Sequence, residues 1–322
     1  MWGNSLGWGI SALIVTVTIG GLVWLSQTLN AISDPTAFST TSGAAEPISA
    51  PVPPPGALPD LAGGTDTVAL YHEAVDLYRK NPTAFDRFVE HPERRDLAAV
   101  EPAIELLRKA AGKSSLGIFS ATPQEAVSYD VDTPLTTLNA LGDCAAGAGL
   151  LEKAADRKEA AISDFQAAFC LGERMADERL CYAELGDGLG LMDGAAIELA
   201  EIAKKDGDQA RADALSNFAA SISDYLNQKL IPIQTVLSSI DQTTIERNAG
   251  DLFWLARNSK ERMWRVESIL SLGRLKYNAG RPGDNRGALR VLTEIARTDS
   301  DPVIKTAAIA ARDLTLDQYH RL

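Results

Sequence analysis

Between Leu6 and Leu29 the chain carries no charged side chain, and this run constrains everything attached to it. The sequence GWGISALIVTVTIGGLVWLSQTL is apolar all round rather than along one stripe. A soluble helix normally keeps a polar face, so such a segment calls for a bilayer or for complete burial. Its 24 positions reach about 36 Å as a helix, enough to cross a hydrocarbon core of about 30 Å. Trp8 and Trp24 lie near its ends, where amphipathic rings favour the interface. Gly20–Gly21 would permit close approach of another helix.

A cleaved signal peptide is the competing reading, with Leu29-Asn30-Ala31 as a weak cleavage site. The apolar stretch exceeds a usual signal core and no Lys or Arg precedes it, which favours an uncleaved anchor. The first basic residue is Arg79, so the positive-inside rule barely acts. A short tail, residues 1–5, kept in the cytoplasm would place the bulk of the chain outside a bacterial inner membrane.

A different region follows at 30–67. Pro35, Pro47, Pro51, Pro53, Pro54, Pro55 and Pro59 interrupt any helix, and small polar residues fill the gaps. Such a stretch is expected to be a disordered tether. PVPPP favours polyproline II, and an SH3-type ligand is the alternative reading of it.

From Val68 onward the periodicity changes to that of helices. Val68, Tyr71, Val75 and Tyr78 recur at spacings of three and four, as do Leu97, Val100, Ile104 and Leu107. Thr122-Pro-Gln-Glu125, Thr133-Pro134 and Asp301-Pro302 each place a capping residue before a proline suited to a first helical turn. Aromatics are only 6% of the chain, while Ala and Leu abound, which suits helices packed through small side chains. Val127, Tyr129 and Val131 alternate briefly, but one short extended segment makes no sheet. The spacing predicts helices over 68–80, 83–90, 94–111, 134–156, 158–174, 177–192, 194–206, 208–228, 230–240, 243–257, 260–279, 285–298 and 302–314. Short connections imply antiparallel neighbours.

Chemistry-bearing motifs are weak. The formal net charge of −12 and the lack of a basic cluster argue against a nucleic-acid partner. Gly186-Asp-Gly188-Leu-Gly190 lacks the spacing and the preceding strand of a dinucleotide loop, so close helix packing or a helix break is the expectation. His72-Glu73 resembles the start of a zinc-protease motif, but the second histidine is replaced by Asp76; His91 and His320 have no metal-ligand spacing. Cys144, Cys170 and Cys181 form no CxxC pair. A turn near Met175-Ala176 would bring Cys170 and Cys181 towards disulfide distance, whereas a straight helix would hold them about 16 Å apart. Gly280-Arg-Pro-Gly-Asp-Asn-Arg-Gly287 is read as a polar loop, solvated or anion-binding. No catalytic, metal or cofactor residues are assigned.

The last sixty residues, WRVESILSLGRL and then GALRVLTEIARTDSDPVIKTAAIAARDL, resemble the HEAT repeat. Asp301, Pro302, Val303, Ala307, Ala308 and Ala311 carry the likeness, with Leu270, Leu272 and Gly273 on the preceding helix and Lys305 where Arg is frequent. Upstream, Ala161, Phe165 and Ala168 have the spacing of the second helix of a tetratricopeptide repeat, with Gly149 at the small position of the first. The segment from Ala160 to Lys205 also looks like uncharacterised planctomycete envelope proteins. These resemblances imply an all-α solenoid: a TPR-like array over 68–259 and HEAT-like repeats over 260–322. The expected role is a membrane-tethered, non-enzymatic scaffold or adaptor for protein partners. An envelope enzyme or accessory factor and a self-associating structural protein are the alternatives.

Overall fold

The computed structural model describes residues 51–53, 67–111, 118–119, 127, 134–230, 252–278 and 282–320. The anchor expected at 6–29 lies outside them, as do most of the linker, the cap at Thr122–Glu125 and most of the helices expected at 230–240 and 243–257. Among the described residues there is no strand, and no helix is long and apolar enough to cross a membrane. The protein is all-α.

Among the described residues, three helices come first: α1 (Thr67–Lys80), α2 (Pro82–Glu90) and α3 (Arg94–Ala110). Each buries one stripe and leaves charges on the other side. The stripe is Tyr71, Ala74 and Val75 in α1, Phe85 and Phe88 in α2, and Val100, Ile104 and Leu107 in α3. Pro82 occupies the first turn of α2, where its missing N–H costs nothing.

Four long helices follow: α4 (Pro134–Ala154), α5 (Lys158–Glu178), α6 (Tyr182–Lys205) and α7 (Gln209–Tyr225), the last running into a π-helical turn at Leu226–Leu230. Consecutive members pack most extensively on one another. Each connection within this group is three residues long, too short for anything but an antiparallel return.

Two of these connections have the same hydrogen bonding. Arg157 N–H donates to Glu152 O at 2.9 Å and Asp156 N–H to Lys153 O at 3.1 Å; one hairpin later Asp208 N–H donates to Ala203 O at 3.0 Å and Gly207 N–H to Lys204 O at 3.2 Å. This is the Schellman closure, which needs a left-handed residue just past the helix. Asp156 (φ 60°) and Gly207 (φ 80°) supply it.

Small residues set the helix spacing. A Cβ on Gly172 would lie 2.4 Å from the Gly188 carbonyl oxygen, and one on Gly188 would lie 2.6 Å from the Gly172 oxygen. Backbone therefore meets backbone where α5 crosses α6. Gly149 faces the Phe165 ring, which a Cβ would approach to 2.7 Å.

Helix α8 (252–258) leads into α9 (Arg262–Asn278), α10 (Pro282–Thr298) and α11 (Pro302–Asp313), with a last turn α12 (Leu316–Tyr319). Helices α9, α10 and α11 pack mutually. Asp301 Oδ1 accepts the Val303 N–H at 2.9 Å, with Pro302 in the first turn. Val303, Ile304, Ala307, Ala308 and Ala311 are all buried. Lys276 Nζ donates to the Arg312 and Leu314 carbonyls at 2.7 Å each, satisfying acceptors that the end of α11 leaves open.

Several expected boundaries move. The turn expected at Met175–Ala176 falls at Arg179–Cys181, and the helices expected at 177–192 and 194–206 are one helix, α6. Burial of Leu185, Leu189, Met192, Ala195 and Ala196 outweighs the glycines, each of which costs about 1 kcal/mol of helix propensity. The polar loop expected at 280–287 is largely helix, because α10 starts at Pro282.

Candidate functional site

The motifs picked out in the sequence serve packing. Gly188 provides the close α5–α6 approach just described, whereas Gly190 faces open space. His72 Nε2 lies 3.0 Å from the Ile118 carbonyl, and Asp76 pairs with Arg79 on its own helix. Among the described residues no group of His, Cys, Asp and Glu could hold a metal ion. Cys144, Cys170 and Cys181 are all buried free thiols. Because α5 runs on to Glu178, Cys170 stays two turns inside it while Cys181 sits at the N-cap of α6. Burial raises all three thiol pKa values, that of Cys170 to about 12, so none is a ready nucleophile.

Carboxylates invisible as a group in the sequence converge at the start of α6. Glu184 Oε2 accepts the Leu180 N–H at 2.5 Å, and Glu267 Oε1, reaching over from α9, accepts the Tyr182 N–H at 2.9 Å. Glu178 accepts the Phe119 N–H through both oxygens, at 2.9 and 3.0 Å. Free N–H groups and the positive helix end attract such oxygens. Burial, and after it the negative charge of Glu178, push the Glu184 carboxyl well above the usual carboxylate range. Glu184 has no exposed surface, so it works as an internal cap of the start of α6. The Tyr182 ring meets Trp264 edge-on at 5.5 Å, and with Glu267 it joins α6 to α9.

Two further polar links hold helices together. Arg108 Nε on α3 donates to Asp164 Oδ1 on α5 at 2.6 Å. Asp164 is fully buried, and desolvation raises its pKa to about 6 even though Arg108 opposes the shift. Arg174 Nε donates to Tyr71 Oη at 3.1 Å and lies over that ring, tying α5 to α1. Asp143 on α4 and Asp187 on α6 are neighbours whose pKa values both rise to about 6, chiefly through burial.

Two troughs lie open on the surface of the described residues. A trough of about 480 Å³ separates α6 from α7. Asp193, Ile197, Glu201 and Lys204 form one wall, Gln209, Asp213, Ser216 and Ser223 the other, and Ala200, Ala212 and Ala219 the floor. Ile197 is 46% exposed. Lys153 of α4 bridges Glu198 and Glu201 behind it, at 2.5 Å each. A second trough, of about 570 Å³, follows α10 along Arg286, Leu289, Arg290, Thr293, Glu294 and Arg297. Glu294 pairs with Arg257 of α8 at 2.6 Å. Periodicity reveals that residues such as Ile197 and Leu289 share a helix with the core, but it does not show which outer faces neighbours leave open.

These surfaces belong to an all-helical protein of packed neighbouring helices, an arrangement consistent with a helical repeat. No family model matches the chain, and no curated protein or solved structure matches it.

Proposed function

We propose that the chain is a membrane-tethered, non-enzymatic scaffold that holds a segment of a protein partner in the trough between α6 and α7. The shape of that trough supports the reading. Its α6 wall runs from Asp193 to Lys204, about 16 Å along the axis. Small molecules sink most of their surface into enclosed clefts. A long open channel with an alanine floor and polar rims suits a helix laid lengthwise, with its apolar side down. The uncharged run at 6–29 and the proline-rich stretch behind it supply the anchor and the tether in this reading.

Photo-crosslinking in native membranes tests it. A photoreactive residue in place of Ser216, inside the trough, is expected to give a discrete protein adduct. The same residue at exposed Arg95 is expected to give none, and Ile197→Lys is expected to abolish the Ser216 adduct. Absence of any adduct specific to Ser216 overturns the proposal.

A further inference from the structure

We infer that the segment seated in the α6–α7 trough is α10 of a second copy of this chain, an inference that rests on the trough reading above. Both halves of the interface are present in one molecule. The trough walls carry Asp193 and Asp213, together with Glu201, which Lys153 of α4 already engages from behind, and the lining cation is Lys204. Helix α10 presents Arg286, Arg290 and Arg297 around exposed Leu289 and Thr293. Its one acid on that face, Glu294, is already engaged by Arg257. In a chain of formal net charge −12, a helix face dominated by arginine has complementary acid close at hand on other copies.

The dimensions agree as well as the signs. Arg286 to Arg297 covers the same number of residues as Asp193 to Lys204, so each face is about 16 Å long. With α10 antiparallel to α6 and Arg297 opposite Asp193, Arg290 comes level with Ala200, one residue from Glu201, and Arg286 comes level with Lys204, where the two long side chains splay apart into solvent. Arg290 to Arg297 spans about 10 Å along one helix and Asp193 to Glu201 about 12 Å along the other. Asp213 faces Glu201 from across the hairpin, since each lies one turn from the three-residue link. Leu289 and Thr293 then lie over Ile197 and the alanine floor. Arginine is among the residue types that carry most binding energy at interfaces.

Because the two surfaces differ, the contact is head to tail. Such a contact leaves one trough and one α10 free at the ends, so copies add in a row unless the rotation closes a ring. Anchoring of many copies in one membrane would raise their effective concentration.

Sedimentation velocity of the full chain in detergent, at 50 and 500 mM NaCl, tests the inference. The expected result is concentration-dependent growth beyond the monomer at low salt that falls at least tenfold in association constant at high salt, since exposed charges are screened. Arg290→Asp is expected to weaken association at least tenfold, as is Asp213→Arg, and the two changes together to restore most of it. Monomers at every concentration overturn the inference, as does association indifferent to salt and to both substitutions, the behaviour of contacts made through 6–29. If the chain stays monomeric while Ser216 still crosslinks to a different protein, self-docking is wrong and the trough reading stands.

Discussion

A methyl group on Gly188 would force α5 and α6 apart. Its carbon would fall 2.6 Å from the Gly172 carbonyl oxygen, 2.8 Å from the Ala176 nitrogen and 2.9 Å from the Met175 Cβ. Two of those three atoms are backbone, so no side-chain rotation relieves the clash. Overpacking of a well-filled core costs about 1–3 kcal/mol, and a backbone obstacle puts this site at the upper end. Alanine recovers about 1 kcal/mol of helix propensity, which leaves a net loss of about 2 kcal/mol. Since about 1 kcal/mol corresponds to roughly 2–4 °C in a domain of this size, Gly188→Ala is expected to lower Tm by about 4–8 °C. Gly190, one residue past Leu189 on the same helix, has nothing within 4 Å of the place a methyl carbon would take. There only the propensity gain applies, and Gly190→Ala is expected to raise Tm by about 2–4 °C. Thermal unfolding of the full chain, followed by circular dichroism at 222 nm, reads both changes. Equal or greater stability of Gly188→Ala relative to the parent would refute the backbone contact between α5 and α6.

Three other outcomes are expected. Asp143 and Asp187 have folded pKa values of about 6 against 3.8 unfolded, so the folded state binds more protons and their stability contribution is lost as pH rises from about 4 through 6. Asp143→Asn or Asp187→Asn is therefore expected to stabilise by about 1–2 kcal/mol at pH 7.5 and by nothing at pH 4, read from urea midpoints, because both side chains are only partly buried. Arg108→Leu strands the buried Asp164 and is expected to cost about 3 kcal/mol, while adding Asp164→Leu recovers most of the loss, as a urea double-mutant cycle will show. Ellman's reagent under non-reducing conditions is expected to find three thiols in denaturant and almost none in the native protein; a single reactive thiol in denaturant would instead reveal a disulfide.

Local signals are the legible ones. Asp301-Pro302 states the start of α11 in two residues, and the buried face Val303, Ala307, Ala308, Ala311 follows from period alone. Gly149 and Phe165 are readable as packing positions through the tetratricopeptide likeness, and a three-residue link sets the two opposite each other. The glycines of GDGLGLMDG mislead because propensity acts residue by residue whereas burial acts on the whole of α6. Pro282 is a usable start signal within the stretch expected to be a loop. Nothing local joins Asp143 to Asp187, Glu267 to Tyr182, or Arg174 to Tyr71. Those partners sit on different helices, and only the packed array brings them together.

The three-residue links also bear on how this chain assembles. A helix whose principal partner is the next one in the sequence has little loop entropy to lose before it docks, and folds dominated by local contacts form quickly. The α4–α5 and α6–α7 hairpins can therefore close as soon as each second helix has been synthesised. Arg174 reaching back to Tyr71 and Glu267 reaching back to Tyr182 instead close loops of 103 and 85 residues, which carry a larger entropic cost. Short links and neighbour-on-neighbour packing thus lower the entropic cost of closing these hairpins, whereas the long-range polar links span much longer loops.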